Sequence, residues 1–387
     1  MKRFLSIISL LSLCGLLGCA GGGGQAQPQG IEPSTIGRTD EMGFERSLGP
    51  AEIAYQSARQ FMSAGNFTEA IANLEKAVSI RPNYLEAWSD LGRVHTESKN
   101  FEKGIAAYER ALELSPGNTA LIAAIGYNYL NMENYEQASA YFMMLVEENP
   151  LDYIGNVNLA FIAQRRGNEL EAIQFYERAL ESNPADARTL GTLANLYAER
   201  GDSEKRYEYL TRAIEADPDN HQYKRQLARA YFSDRRYEQA VPMYEELVAL
   251  FPDDPDHRRR LGFALSETDR NREAPAQLEK AIELGARDDP FTWALLAKIY
   301  NESAQHRKAI ESARSGLALG SGEKAFLHYQ WGEALSKLEE YEAAIGQFEA
   351  AARLRDATWS GLAQRQIERQ QALIKRREAE RERALYD

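Results

Sequence analysis

The chain has 387 residues, 44% of them hydrophobic and 27% charged, with a formal net charge of −12. Its length suggests two or three globular domains, and its composition is that of a soluble, core-forming protein. The acidic balance disfavours nucleic acid, whose binding rests on phosphate neutralisation, and two cysteines, Cys14 and Cys19, can build neither a disulfide framework nor a thiolate metal cluster.

Lys2 and Arg3 open the chain, and an apolar run of 14 residues follows from Phe4 to Leu17. A transmembrane helix needs about 20 residues, so the run fits the hydrophobic region of a secretory leader spanning 1–18. The stretch Leu16-Leu17-Gly18-Cys19 resembles the bacterial lipobox. That resemblance implies that Cys19 becomes the first mature residue, with lipid on its sulfur and its amine and no other cofactor. Leu17 stands where that family more often has Ala or Ser, and ordinary cleavage near Ala20 is the alternative. Several acyl chains suffice for stable anchoring, at roughly 0.8 kcal/mol per buried CH₂. Ala20 in the second mature position, rather than Asp, resembles lipoproteins sent to the outer membrane to face the periplasm; retention in the cytoplasmic membrane is the alternative. Loss of Lys2 and Arg3 would leave a charge of about −14. Residues 19–50 then read as the lipidated cysteine and a Gly-, Gln- and Pro-rich tether.

Beyond residue 50 a period of 34 takes over. Prolines fall at 82, 116, 150, 184, 218 and 252, and the hexapeptide YERALE occurs at both 108–113 and 176–181. Twelve residues before the proline stands a small residue, as at Ala70, Gly104, Ala138, Ala172 and Ala240. Five before it stands a second small or aliphatic site, such as Ala77, Ala111 and Leu145. This set resembles the tetratricopeptide repeat, a helix–turn–helix unit. Gly92, Gly126 and Gly262 on first helices, with Ala70 and Ala172 on second helices, let helices approach, while Trp88, Tyr108, Phe142 and Tyr176 fill the space around them. Each proline ends a second helix, because it lacks an N–H and clashes with the preceding turn. The units fall at 51–84, 85–118, 119–152, 153–186, 187–220, 221–254, 255–288, 290–323 and 325–358. The expected fold is all-α: a right-handed superhelical solenoid of about nine repeats, with a charged capping helix over 359–387. Trp359, Leu362 and Ile367 would cover the last repeat, whereas Leu373 and Ile374 do not sustain coiled-coil heptads. Repeat five departs from the pattern with Arg206 in place of alanine. Either the side chain snorkels outward, or the solenoid has a soft joint there.

No catalytic constellation emerges, and an enzyme is not expected. His95, His221, His257, His306 and His328 show no metal-ligand spacing. The acidic run PDDPD at 252–256 lacks the spacing of a calcium loop and reads as solvated turn. The tetratricopeptide resemblance implies instead a groove lined by the first helices at unit positions 2, 5, 9, 12 and 13. Repeats one and two contribute Tyr55, Arg59 and Arg93. Repeats three and four contribute Ala120, Ala123, Tyr127, Leu130, Ile154, Val157 and Phe161. Repeats six and seven contribute Arg225, Arg229 and Arg259 beside Phe232 and Phe263. These positions sum to about +1 on an acidic body, a contrast that steers acidic segments; the competing reading packs Tyr127 and Phe161 between helices. Tyr55 and Arg59 stand where a chaperone-binding carboxylate clamp would have its first Lys and Asn, so that specificity is not implied. The resemblance extends to outer-membrane tetratricopeptide lipoproteins, including those of type IV pilus biogenesis. It implies a scaffold or adaptor that binds protein or peptide segments in the periplasm, attached to the membrane by lipid; a structural self-assembler stacking repeats end to end is a rival reading, against which the charged cap argues, so a monomer is expected. A chaperone-like holder of unfolded envelope proteins is the alternative.

Overall fold

The computed structural model describes residues 38–39, 45–46, 48–286, 289–320 and 322–386, and it divides into two compact units that meet in sequence at Pro116 and Gly117. Cys19 and the whole leader lie outside the described residues. In the first unit, within the stretch expected to be tether, β1 (Arg38–Thr39) and β2 (Glu45–Arg46) pair antiparallel. Two helix pairs follow, α1 (Pro50–Ser63) with α2 (Phe67–Ile80) and α3 (Leu85–Glu97) with α4 (Phe101–Leu114).

The second unit continues the alternation. Its pairs are α5 (Thr119–Asn131) with α6 (Tyr135–Glu148), α7 (Tyr153–Arg165) with α8 (Glu169–Ser182), and α9 (Ala187–Glu199) with α10 (Ser203–Ala216). Then come α11 (His221–Ser233) with α12 (Tyr237–Leu250), α13 (Pro255–Glu267) with α14 (Ala274–Glu283), α15 (Pro290–Glu302) with α16 (His306–Ala318), and α17 (Lys324–Lys337) with α18 (Tyr341–Arg353). The chain closes with α19 (Trp359–Tyr386). The all-α helix-pair expectation holds. No helix among the described residues is long and apolar enough to cross a membrane.

Local chemistry explains the punctuation. Each helix that precedes a periodic proline stops two residues short of it, and the intervening residue has left the helical region: Arg81 is extended, and Ser115 and Asn183 have ψ of 72° and 78°. Proline's Cδ bars that residue from the helical region. Two residues after five of the six prolines an Asn or Asp caps the next first helix, and after Pro82 the place is held by Tyr84, which makes no cap bond. Asn118, Asp152, Asp186, Asn220 and Asp254 all accept from backbone N–H groups of their helices, which satisfies donors that the helix itself leaves unpaired. The second helix of the seventh pair begins late, at Ala274. Pro275 sits in its first turn, where its missing N–H costs nothing, and Arg270 bonds Glu273 at 2.7 and 2.6 Å just before it.

Between the two helices of every pair, one residue is left-handed. Gly65, Gly167 and Gly201 fill this place in three repeats, and Lys99, Glu133, Arg235, Asp269, Ala304 and Glu339 fill it in the others, with φ between 57° and 80° across these nine sites. A Cβ makes that conformation costly by roughly 1–2 kcal/mol. Ala304, at φ 57°, has no polar side chain to compensate. Ala304→Gly is therefore expected to raise the thermal midpoint, with a gain of about 1 kcal/mol in denaturant unfolding; no gain would mean that the turn relaxes around alanine.

The cores run through the pairs. In the first unit Ala70, Leu74, Ala77 and Ala58 are fully buried. In the second, aromatic rings seat against helix glycines. A Cβ on Gly126 would lie 2.9 Å from the Phe142 ring, and one on Gly332 would lie 2.7 Å from the Phe348 ring. At the C-terminal end Trp359 stacks on Phe326 at 4.4 Å, while Ala363, Ile367 and Gln370 of α19 are buried. The helix therefore covers the last pair with one face and presents charge on the other.

Candidate binding surface on the first helices

Neighbouring first helices are laced to one another by side chains at the positions expected to line a groove. In the first unit the Tyr55 hydroxyl donates to Asp90 at 2.8 Å, and its ring meets Tyr84 at 4.9 Å. Burial and the adjacent Asp90 push the Tyr55 phenol well above its ordinary range. Arg93 bonds Asp90 at 2.9 Å and Glu97 at 3.3 Å, so its charge is shared locally. Arg59 is exposed.

In the second unit the apolar stretch of repeats three and four divides. Ala123 is 4% exposed and lies beneath the surface. Tyr127 meets Phe142 edge-on at 5.4 Å and its oxygen accepts from Asn158 at 3.1 Å. Burial raises its pKa, and the Asn158 bond opposes that. Val157 packs against the core that includes Leu190 and Leu193. Leu130 and Phe161 are half-buried, and Ala120 is exposed. Tyr127 and Val157 thus join repeats, while Phe161, Leu130 and Ala120 keep surface for a ligand.

Repeats six to eight bring the expected arginines together with rings. Phe232 lies 5.2 Å from Phe263, and Phe263 lies 6.0 Å from Phe291, a row of half-buried rings across three successive first helices. Beside it Arg229 is exposed, with a nitrogen 3.9 Å from Asp256, and Arg259 approaches Asp256 at 2.7 Å and Asp289 at 3.8 Å. Arg260 bonds Asp256 at 2.8 Å and covers the Phe232 ring at 5.3 Å. Burial works to raise the Asp256 carboxyl, but hydrogen bonds from Arg260 and Arg259 outweigh it and hold the group below the usual carboxylate range. Arg225 stands apart, stacked over Phe251 at 4.2 Å. Two carboxylates, Asp256 and Asp289, therefore face three guanidinium groups, leaving cationic capacity beside an aromatic row, the combination that suits an acidic or aromatic segment.

Sequence reasoning missed Asp256, Asp289 and Phe291 as parts of this surface. Asp256 and Phe291 stand at unit position 2, where the pattern could have found them. The run at 252–256 does turn work: Asp254 caps α13 and Asp256 binds arginine. No group of three or more His, Cys, Asp or Glu among the described residues could hold a metal ion.

Helix pairs at a 34-residue period, with glycine–ring contacts and proline-terminated second helices, define a tetratricopeptide repeat protein, and the tetratricopeptide repeat pattern matches residues 231–299. More specifically, the chain belongs to the family described as the cilia and flagella-associated protein 70 C-terminal domain, which matches residues 47–251, more than half of its length. Among solved structures it is similar to PilW, a type IV pilus biogenesis factor, at 19% identity and TM-score 0.41, covering 53% of this chain and 96% of that one. It is similar to PilF of Pseudomonas aeruginosa at 18% identity and TM-score 0.42, covering 52% and 92%. It is also similar to YrrB, described as having an unusual peptide-binding site, at 22% identity and TM-score 0.38, covering 46% and 91%. No curated protein matches the chain.

Proposed function

We propose that this chain is a lipid-anchored scaffold of the bacterial cell envelope, which holds segments of partner proteins along its first helices and assists assembly or regulation of an envelope complex. The observation that carries the binding part is the row Phe232–Phe263–Phe291 flanked by Arg229 and Arg259. An extended segment laid across successive repeats would place its apolar side chains on the rings and its carboxylates on the arginines. The anchoring part rests on Leu16-Leu17-Gly18-Cys19. Lipid at Cys19 would hold the repeats at the outer membrane, facing the periplasm.

A photo-crosslinking residue at Arg229, whose side chain is 57% exposed, tests this in the cell, with the exposed Arg353 on second helix α18 as control and with Cys19→Ser as the anchor variant. One dominant protein adduct, specific to position 229 and lost or weakened when Cys19→Ser releases the chain from the membrane fraction, is the expected result. A spread of unrelated envelope proteins would replace the adaptor with the chaperone-like holder. A soluble wild-type chain would remove the anchor.

A further inference from the structure

A cleft of about 490 Å³ opens in the first unit, lined by Glu75 of α2, Trp88, Leu91 and His95 of α3, and Lys103 and Ala107 of α4. The second unit explains what this cleft lacks. In repeat five, Tyr197 of α9 stacks on Tyr209 of α10 at 5.5 Å with planes 8° apart. Both hydroxyls donate to Glu177 of the preceding second helix, at 2.8 and 3.1 Å, and Lys205 donates to Tyr197 at 2.9 Å. Repeat three has the same ring pair, Tyr129 on Tyr141 at 5.6 Å. Repeat eight repeats the polar part, with Tyr300 donating to Glu279 and Lys308 placed 5.1 Å over its ring.

Counted along the 34-residue unit, the same positions in repeats one and two are Glu75, His95, Lys103 and Ala107. The glutamate and the lysine are present, and the inner ring is an imidazole. The outer ring is gone, because Ala107 stands where Tyr209 and Tyr141 stand. His95 is 4% exposed, and its Nδ1 has no hydrogen-bond partner among the described residues. Burial lowers its pKa, Lys103 adds to that and Glu75 opposes it, so the net effect favours the uncharged ring. Glu75 and Lys103 are exposed at the mouth.

We infer that this cleft is a second recognition site, on the side of the second helices, which takes a tyrosyl side chain from a partner protein: its ring stacks on His95 above Ala107 and its phenol donates to Glu75. The partner's ring takes the place that Tyr209 fills from within. The volume exceeds that of one ring, which leaves room for the backbone carrying it, and Arg110 and Glu113 at the rim, 2.7 Å apart, are polar groups that such a backbone can meet. This site stands independently of the surface around Phe232 and Phe263.

The test uses the intact chain, with nuclear magnetic resonance of the Trp88 indole and the His95 ring as readout. The probes are the capped tripeptides Gly-Tyr-Gly, Gly-Phe-Gly and Gly-Leu-Gly, and phenol alone. The expected result is saturable shifts at Trp88 and His95 for the tyrosine peptide, about tenfold weaker binding for phenylalanine because the charged hydrogen bond is lost, and none for leucine. Ala107→Tyr supplies the missing ring from within and is expected to abolish binding while raising the thermal midpoint. Glu75→Ala, at an exposed position, is expected to bring the tyrosine and phenylalanine peptides to parity. Absence of saturable shifts, undiminished binding in folded Ala107→Tyr, or an unchanged tyrosine preference in Glu75→Ala would overturn the site. Phenol binding as tightly as the tripeptide would overturn the protein partner.

Discussion

Replacing Phe142 with alanine is expected to destabilise the second unit by about 3–5 kcal/mol, the range for a fully buried aromatic. That is a large share of the stability of any domain, which is commonly about 5–15 kcal/mol. The reasons are specific to the site. Phe142 is 0% exposed, its ring lies against the bare backbone of Gly126, and Tyr127 meets it edge-on at 5.4 Å. Because the facing residue on α5 is a glycine, no side chain on that face can swing in to fill the hole, so the cost belongs in the upper part of the range. Met144, two residues along the same helix and 44% exposed, is the control, and Met144→Ala is expected to change stability by less than about 0.5 kcal/mol. Denaturant unfolding measures both, and hydrogen exchange should show the lost protection concentrated over 119–186, since repeats depend on their neighbours. Equal effects of the two substitutions would mean that the ring does not bear on Gly126 in solution.

The helix pairs were legible because one period carried several independent signals. Proline ended the second helix, a small residue allowed close approach, and an aromatic filled the gap. What the period could not convey depends on distance in space. Gly191 is a small residue on a first helix, but it stands at unit position 5 rather than at position 8 with Gly92 and Gly126, and the ring over it comes from Tyr223 of the next repeat. Tyr127 and Phe161 look alike in the pattern, yet Asn158 and Phe142 draw Tyr127 into the joint between repeats, and no spacing rule shows that. The left-handed residue between paired helices is obvious at Gly65 and invisible at Lys99 or Glu133, because the turn is imposed by the packing of the helices on either side. The cleft at His95 was readable: Ala107 and His95 depart from positions that hold tyrosines in repeats three and five. The repeat resemblance, however, points to the first-helix groove alone, and this departure lies on the side of the second helices.

Tyr223→Ala is expected to cost about 2–4 kcal/mol, somewhat below the full aromatic range because the side chain is only half-buried, and to loosen the joint between repeats five and six. Arg206 breaks the repeat pattern here, but α10 is continuous from Ser203 to Ala216 and Tyr207, Tyr209 and Leu210 beside it are buried. Arg206 itself is half-buried, and its charge makes a minor contribution near Asp234. That carboxyl is held below its usual range first by the Tyr207 hydroxyl. Its alanine variant is therefore expected to shift stability by no more than about 1 kcal/mol. The contacts that join the repeats lie elsewhere. A Cβ on Gly191 would run into the Tyr223 ring, Tyr207 meets Tyr231 at 4.5 Å, and Arg236 covers Tyr207 at 4.8 Å. A tyrosine that fills a notch in the preceding repeat contributes to the interface term between neighbours, so its loss weakens coupling more than it weakens either repeat alone. Hydrogen exchange in increasing denaturant separates the two: in Tyr223→Ala, residues 187–220 and 221–254 should lose protection at different denaturant concentrations, while in wild type and Arg206→Ala they should lose it together. If Arg206→Ala splits the transition and Tyr223→Ala does not, the joint is held by the arginine, and the notch at Gly191 is only a consequence of how the helices pack.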